Sequence, residues 1–180
     1  YFLVGQPGGL IGQYYSETDF TELVGVDNTP IVDARHYNEP PLQYTRIDSY
    51  LDFDWGGPIK INDITVKSIK WTGVLVPQTS GHTSFTITIV ANGGVKLTMS
   101  SAPDANFDLL GETTVSTTTV SIAYTQFLAY PIEIQYKPVG NALFTLEWTI
   151  TGGTLPVTGL WTIPPSALHA PLSVLSVAQL

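Results

Sequence analysis

Polar and apolar residues alternate with a period of two along most of the chain. Over residues 84–89, polar Ser and Thr alternate with Phe85, Ile87 and Ile89, which places three apolar side chains on one face of a strand. The same alternation recurs over residues 69–75, 132–136 and 142–150. A further stretch, 115–122, is rich in β-branched Thr and Val. These segments predict half-buried antiparallel strands.

Turn-forming residues separate the predicted strands at short intervals: Gly56-Gly57-Pro58, Ser80-Gly81, Asn92-Gly93-Gly94, Gly140-Asn141 and Gly152-Gly153. Asn92-Gly93 is interpreted as a hairpin turn. One short helix is expected from Glu17 to Leu23, with Ser16 as its cap. Strands at this spacing, without long helical patterns between them, predict an all-β fold: an antiparallel β-barrel or β-sandwich with long loops.

The 180 residues have the length of one domain, and no internal repeat is evident. Residues 1–8 are interpreted as a linker or the start of a fragment. Residues 9–168 form the predicted domain, and residues 169–180 a C-terminal tail or a linker to a neighbouring domain. Within the domain, residues 27–43 contain three prolines and are expected to form a long irregular connection.

Charge and composition exclude several classes of partner. The net charge is −8, and the seven Lys and Arg residues are scattered along the chain, so the sequence predicts neither nucleic acid nor an anionic membrane as a partner. No apolar run approaches 18 residues, which argues against membrane insertion. The absence of cysteine excludes disulfides and thiolate metal sites.

Eight short segments follow one another in an order that covers residues 9–168. They are GLIGQYY (9–15), LDFDW (51–55), KWTGVLVP (70–77), SGHTSF (80–85), GVKL (94–97), YPIEIQY (130–136), LEW (146–148) and IPPSAL (163–168). This order resembles the protective-antigen-type (PA-fourteen) β-module. The resemblance implies a non-catalytic, usually extracellular module that occurs in bacterial toxins, glycosidases and microbial adhesins, several of which bind carbohydrate.

The resemblance also raises the question of calcium. In lectin-like members such as yeast flocculins, two consecutive Asp before the GVKL strand bind calcium, helped by an Asn after the YPI strand. The corresponding stretch here is Ala91-Asn92-Gly93, and the helper position is Pro138, with Asn141 three residues further on. Calcium prefers roughly six to eight oxygen ligands. Since the flocculin-like carboxylate pair is missing, no cofactor is certain and calcium stays an open alternative.

A second oxygen-rich stretch contains Asp104, Asn106 and Asp108, which are candidate metal ligands because alternate loop positions can turn three oxygens toward one point. Compared with an EF-hand, Leu109 replaces the turn glycine and Val115 the bidentate Glu. The preferred interpretation is therefore a set of Asx turns in a surface loop.

Catalytic interpretations are weaker than structural ones. Asp52 and Asp54 beside Trp55 invite comparison with a glycosidase pair, but a solvated strand face explains them better. The three histidines, His36, His82 and His169, show no zinc spacing and are expected at the surface. Trp71 and Trp148 are expected in the core, whereas Trp161, His36, Tyr37 and Tyr44 remain candidates for sugar contacts. The chain is predicted not to be an enzyme.

The sequence thus favours a carbohydrate-binding or adhesion module of a larger secreted or cell-surface protein, with an extracellular glycan and the adjoining domains as partners. Its predicted binding rim consists of Asn92, Gly93, Asp104, Asn106, Asp108, Asn141 and Trp161. The alternative is a structural or autoinhibitory module of a secreted toxin or glycosidase, with an adjoining domain as its partner.

Overall fold

The computed structural model describes residues 8–20, 45–61, 63–76, 84–111, 115–123, 129–151, 161–163 and 167–170. Within these ranges the secondary structure is almost entirely strand: β1 (Leu10–Tyr15), β2 (Thr45–Asp48), β3 (Asp52–Asp54), β4 (Lys60–Ile61), β5 (Ile64–Thr65), β6 (Ser68–Leu75), β7 (Ser84–Met99), β8 (Phe107–Leu109), β9 (Val115–Ala123), β10 (Tyr130–Pro138), β11 (Leu143–Thr151), β12 (Trp161–Thr162) and β13 (Leu168–His169). One 3-10 turn, Pro103–Ala105, precedes β8. The predicted all-β fold is confirmed.

Eleven of these strands join one antiparallel sheet that curls into a half-barrel. Its main path runs β12-β11-β7-β10-β6-β1-β2, while β3, β8, β9 and β13 pair beside it. The long strand β7 joins the β12-β11 part of this path to the β10-β6-β1-β2 part. Its first half lies between β9 and β11, and its second half lies between β10 and β8.

The change of neighbours along β7 occurs at Asn92 and Gly93, where the sequence predicts a hairpin. That prediction is wrong, because β7 continues through both residues to Met99. Gly93 has φ 131, and a Cβ atom there would overlap the carbonyl oxygen of Lys137. Asn-Gly favours the positive φ that turns require, and the same freedom lets a strand bend and its neighbour approach closely.

The helix expected from Glu17 is wrong over its described part. Residues 16–20 form bends and a turn, and Phe20 has φ 61, which is incompatible with a right-handed helix. The hydroxyl of Ser68 donates to the carbonyl oxygen of Glu17 at 2.5 Å and holds this turn against β6. Residues 21–23 and the expected connection over 27–43 lie outside the described residues.

The core lies on the inner face of the curled sheet and confirms the predicted alternation. In β10, the inward residues Ile132, Ile134 and Tyr136 are buried and their neighbours are more exposed. Trp71 and Trp148 are 0% and 6% exposed, as their apolar strand faces predict. Aromatic rings fill the centre, and the Trp71 ring lies 4.7 Å from that of Phe144 and 6.2 Å from that of Tyr136.

The described ends of the sequence lie on the same sheet. Strand β13 pairs with β6, so that His169 lies opposite Val74, and the Gly8 amide donates to the Leu168 carbonyl at 3.0 Å. Residues 1–7 and 171–180 lie outside the described residues. The described residues contain no helix with the length and hydropathy that crossing a bilayer requires.

Candidate functional site

A groove of about 390 Å³ opens beside the turn that connects β10 and β11, and we call it the turn groove. Its size lies within the range of small-molecule sites, roughly 300–1,000 Å³. The lining is mostly apolar, with two lysines and two threonines: Thr18, Pro58, Ile59, Thr65, Val66, Lys67, Leu110, Lys137, Pro138, Val139 and Gly140.

Backbone hydrogen bonds hold the walls of the turn groove together. The Val66 amide donates to the Ile59 carbonyl at 2.8 Å, which closes the small β4-β5 hairpin. The Ala142 amide donates to the Gly57 carbonyl at 3.0 Å, so the end of the β10-β11 turn is bonded to the segment before that hairpin. Hydrogen bonds between separate segments of the chain therefore fix the walls of the groove.

Asn92 fixes the turn from inside the sheet. Its side-chain amide nitrogen donates to the Asn141 carbonyl at 2.7 Å, and its own carbonyl accepts from the Val139 amide at 3.1 Å. The Tyr136 hydroxyl lies 2.8 Å from the same carbonyl. The structure thus brings together Asn92 and Asn141, two predicted rim residues that are 49 positions apart in sequence.

The buried Tyr136 phenol stays a hydrogen-bond donor at neutral pH. Burial raises its pKa to about 12, although the backbone hydrogen bond with Leu143 lowers it. The Leu143 amide donates to the phenol oxygen at 3.2 Å. Tyr136 therefore links β7 to the first residue of β11, next to the turn that forms one wall of the turn groove.

The predicted rim residues Asp104 and Asn106 lie at the opposite end of the second half of β7. The Asn106 side-chain oxygen accepts from the Met99 amide at 2.7 Å. Met99 is five residues beyond Gly94, about 17 Å at the rise of a strand. These two residues therefore do not join Asn92 and Asn141 in one rim.

Asp108 has structural partners. Its carboxylate accepts from the Leu110 amide at 3.1 Å, which is the Asx contact that the turn interpretation expects. The other oxygen lies 3.8 Å from the Lys96 ammonium group. Leu110, two residues further on, lines the turn groove, so this end of the 104–108 segment approaches the groove while its beginning does not.

Trp161 lies in a different part of the sheet. Its backbone pairs with Trp148 of β11, five residues, or about 17 Å, from the start of that strand. His36, Tyr37, Tyr44 and His82 lie outside the described residues. Asp52 and Asp54 are exposed, and Asp54 accepts from the Gly56 amide at 3.0 Å, as a solvated strand face predicts.

The residues present do not fit the calcium site that the fold suggests. Among the described residues that line the turn groove, none carries a carboxylate, and the Asn92 amide and carbonyl are engaged with Asn141 and Val139. The oxygens at this position are neutral and already take part in hydrogen bonds within the protein. They therefore do not supply the ligands that calcium requires. Across the described part of the chain, no three His, Cys, Asp or Glu residues are grouped as for a metal.

Sequence reasoning missed the lysines of this region because they are far apart in the chain. Lys67 and Lys137 both line the turn groove. The Lys67 ammonium lies 3.7 Å from the Glu17 carboxylate, whereas that of Lys137 lies 5.9 Å from the centre of the Phe20 ring. Only the strand register, which the sequence does not reveal, brings these cations together.

Comparison with known proteins finds one similarity in sequence and others in fold. No family model matches it. It is 30% identical over 95 residues to the anti-sigma-I factor RsgI3 of Acetivibrio thermocellus, a match covering 52% of this chain and 12% of that protein. The chain thus matches a small part of that regulator's length.

Two solved structures share the fold. An anti-sigma factor domain-containing protein from Clostridium clariflavum superposes with a TM-score of 0.68 at 19% identity, covering 95% of this chain and 50% of that one. A PA14 sugar-binding domain from an RTX adhesin superposes with a TM-score of 0.59 at 12% identity, covering 92% of this chain and all of that domain. The fold is therefore of the PA14 type.

Proposed function

We propose that this chain is a non-catalytic carbohydrate-binding module of a longer secreted or cell-surface protein, and that the turn groove holds the sugar. The observation that carries the proposal is a built groove of about 390 Å³ at the β10-β11 turn. A sugar-binding domain with the same fold supports the ligand class. A shared fold alone does not assign a function, so the proposal depends on the chemistry of the groove.

The turn groove suits a sugar ring that is apolar on one side and polar at its edge. Val139, which is 38% exposed, offers an apolar contact to the ring carbons, whereas Ile59 and Val66 line the groove but are only 4% and 2% exposed. Thr18 and Thr65 carry hydroxyl groups that can exchange hydrogen bonds with sugar hydroxyls. A mostly apolar lining with a few polar groups is the usual composition of a small-molecule site.

Val139 supplies the direct test, because it is 38% exposed at the groove and the exposed Ile47 on β2 is a matched control at 37%. We expect Val139→Asp to weaken glycan binding about tenfold or more, since it replaces an apolar contact with a hydrated carboxylate. Ile47→Asp makes the same kind of change away from the groove and should leave binding unchanged.

The experiment is a glycan-array screen of the chain with and without calcium, followed by calorimetric titration of any ligand found. Binding that is lost in Val139→Asp and kept in Ile47→Asp supports the groove as the site. Silence on the array in both conditions contradicts carbohydrate binding, and an equal loss in both variants places the site elsewhere.

The second candidate function is a structural or regulatory module whose partner is an adjoining domain. It is favoured by the match to part of an anti-sigma-I factor and by the superposition on about half of an anti-sigma factor domain-containing protein. In the intact parent protein, removal of the adjoining domain should then increase hydrogen exchange at surface amides of this chain. Unchanged exchange would contradict this candidate.

A further inference from the structure

The outer face of the sheet carries a second feature next to the turn groove: two lysines that converge on one aromatic ring. The ammonium groups of Lys70 and Lys137 each lie 5.9 Å from the centre of the Phe20 ring. The two nitrogens are therefore within about 12 Å of each other, twice the ring distance. Lys137 also lines the groove, so this Phe20 cluster and the turn groove form one continuous surface.

Strand register places these lysines side by side. Lys70 of β6 lies opposite Gln135 of β10, and Lys137 follows two residues later on the same strand. Alternate residues of a strand share a face, so Lys70 and Lys137 are diagonal neighbours on the outer surface. The arrangement concentrates positive charge in a chain whose net charge is −8.

Among the described residues, no anion pairs with either ammonium group. Within the described ranges, no carboxylate lies within 4.0 Å of the Lys70 or Lys137 ammonium group. The described ion pairs of the other lysines use Glu17 for Lys67 and Asp108 for Lys96. The Phe20 ring lies at the outer limit of a cation–π contact with both ammonium groups, so it competes little with an anionic ligand.

Phe20 is held in place under the two cations. Its ring meets the buried Tyr15 ring edge-on at 5.9 Å, and its backbone has φ 61, a region that side-chain-bearing residues seldom adopt. Phe20 itself is only half-buried. A half-exposed ring fixed by a buried partner offers a flat apolar surface to a sugar ring.

We propose that the Phe20 cluster is a subsite for an acidic saccharide, whose carboxylate or sulfate lies between the Lys70 and Lys137 ammonium groups while a sugar ring contacts Phe20. The proposal rests on the proposed carbohydrate-binding function and names its ligand class. The Glu133 carboxylate lies on the same face, since Glu133 is opposite Thr72 and Lys70 is opposite Gln135, and it opposes a bound anion. Carboxylates further away oppose it little, because at physiological salt a charge is screened over roughly 8 Å. The two ammonium groups lie nearest the proposed anion.

The test is titration calorimetry of the chain with three ligands that share one backbone: cellotetraose, its C6-oxidised carboxylate form, and a sulfated cellotetraose. We expect at least one acidic form to bind about fivefold or more tighter than the neutral one, with an advantage that shrinks as salt rises from 50 to 500 mM. Comparison of the carboxylate and sulfate forms identifies the anionic group.

Charge-neutralising variants locate the site. Lys70→Gln and Lys137→Gln should each reduce acidic binding about threefold, and the double variant about tenfold, with neutral binding changed less. Lys96→Gln is the matched control, because it lies on the same sheet face but pairs with Asp108. Phe20→Leu should weaken acidic and neutral ligands alike, and the thermal midpoint of each variant confirms that it folds.

The outcomes separate this inference from the proposed function. Equal affinity for neutral and acidic forms, or equal losses in Lys96→Gln and Lys137→Gln, overturns the acidic subsite and leaves carbohydrate binding standing. Failure of all three ligands here, together with silence on the glycan array, overturns both. Neutral glycan binding that survives Lys70→Gln and Lys137→Gln while acidic binding falls supports the subsite directly.

Discussion

Two clusters of cations and aromatic rings lie on the same sheet, and they differ in whether the protein supplies the anion. In the first, the Arg46 guanidinium lies 4.9 Å from the centre of the Tyr14 ring and 2.6 Å from the Asp48 carboxylate. In the second, Lys70 and Lys137 lie beside Phe20, and the described residues place no carboxylate within ion-pair distance of either lysine. The first cluster contains its own anion, whereas the described part of the second contains none within that distance.

The Asp48 cluster shows what a completed site looks like in this fold. Asp48 is 4% exposed and accepts from the Tyr14 hydroxyl at 2.6 Å, the Trp71 indole at 2.7 Å and the Arg46 guanidinium at 2.6 Å. A buried carboxylate is tolerated only when partners of this kind replace its water. The cluster joins β1, β2 and β6 and serves the fold.

The difference teaches that a cation near an aromatic ring indicates a binding site only where no internal anion satisfies it. Removal of a partner from the Asp48 cluster should therefore affect stability, whereas changes around Phe20 should affect ligand binding.

The largest effect is expected for Asp48→Ala. The change removes the shared acceptor and leaves the Trp71 indole, the Tyr14 hydroxyl and the Arg46 guanidinium without it. Breaking a buried charged pair in this way costs about 3–5 kcal/mol. Urea unfolding of Asp48→Ala and of Asp52→Ala, an exposed control, measures the difference. A loss below 1 kcal/mol for Asp48→Ala would show that the cluster is not structural.

Gly12→Ala should have the next largest effect. A Cβ atom at Gly12 would overlap the Asp48 carboxylate and lie 3.1 Å from the Trp71 indole nitrogen. Such overpacking costs about 1–3 kcal/mol. The control is Gly57→Ala, where a Cβ atom meets nothing within 4 Å.

A double-mutant cycle makes this second prediction specific. Asp48→Ala removes the carboxylate that the Cβ atom of Gly12→Ala would overlap. The stability lost through Gly12→Ala should therefore be smaller in the Asp48→Ala background than in the native chain. Strictly additive losses in urea unfolding would mean that the glycine is required for another reason.

Alkaline pH should lower the stability of the fold through Tyr14, a member of the Asp48 cluster. Burial, and then the Asp48 charge, raises the pKa of Tyr14 far above its usual value near 10. Above pH 10 the unfolded chain loses this proton while the folded chain keeps it, so stability falls by about 1.4 kcal/mol per pH unit from this residue.

Urea unfolding between pH 9 and 11.5 measures this slope. Tyr14→Phe should remove the contribution of Tyr14 to the fall of stability with pH. At neutral pH the same variant should be less stable than the native chain, because Asp48 loses a hydrogen-bond donor. An unchanged slope in Tyr14→Phe would mean that its pKa is not raised by the fold.

The sequence predicts β6, β9, β10, β11 and the first half of β7 because each of these segments carries its own signal. Alternation over β6, β10 and β11 is a local consequence of one buried face, so the buried positions of Trp71 and Trp148 follow from spacing alone. Asn92-Gly93 shows the limit. The dipeptide specifies backbone freedom, and only the neighbouring strands decide whether that freedom makes a turn or a bend within a strand.

The candidate site is less predictable from the sequence, because it depends on the register of the strands and on the way the sheet curls. The sequence predicts Asn92 and Asn141 at one rim, because the resemblance aligns the segments that contain them. The structure brings these two residues into contact. Asp104 and Asn106 were placed in the same rim but lie at the other end of β7. The lysines are scattered in sequence and become neighbours only when β6 pairs with β10.

The smallest predicted effect concerns Glu133, the carboxylate that lies near the Phe20 cluster on β10. Glu133 lies opposite Thr72, two residues from Lys70, and close enough to Tyr15 to raise its pKa together with burial. It should repel an anion bound between the lysines by about 0.5 kcal/mol, the size of a unit-charge interaction at 8 Å in water. Glu133→Gln should therefore strengthen binding of an acidic saccharide about twofold and leave neutral sugars unaffected in calorimetric titration. Weaker acidic binding in this variant would mean that Glu133 contacts the ligand or positions Lys70, and would place the anion elsewhere on the face.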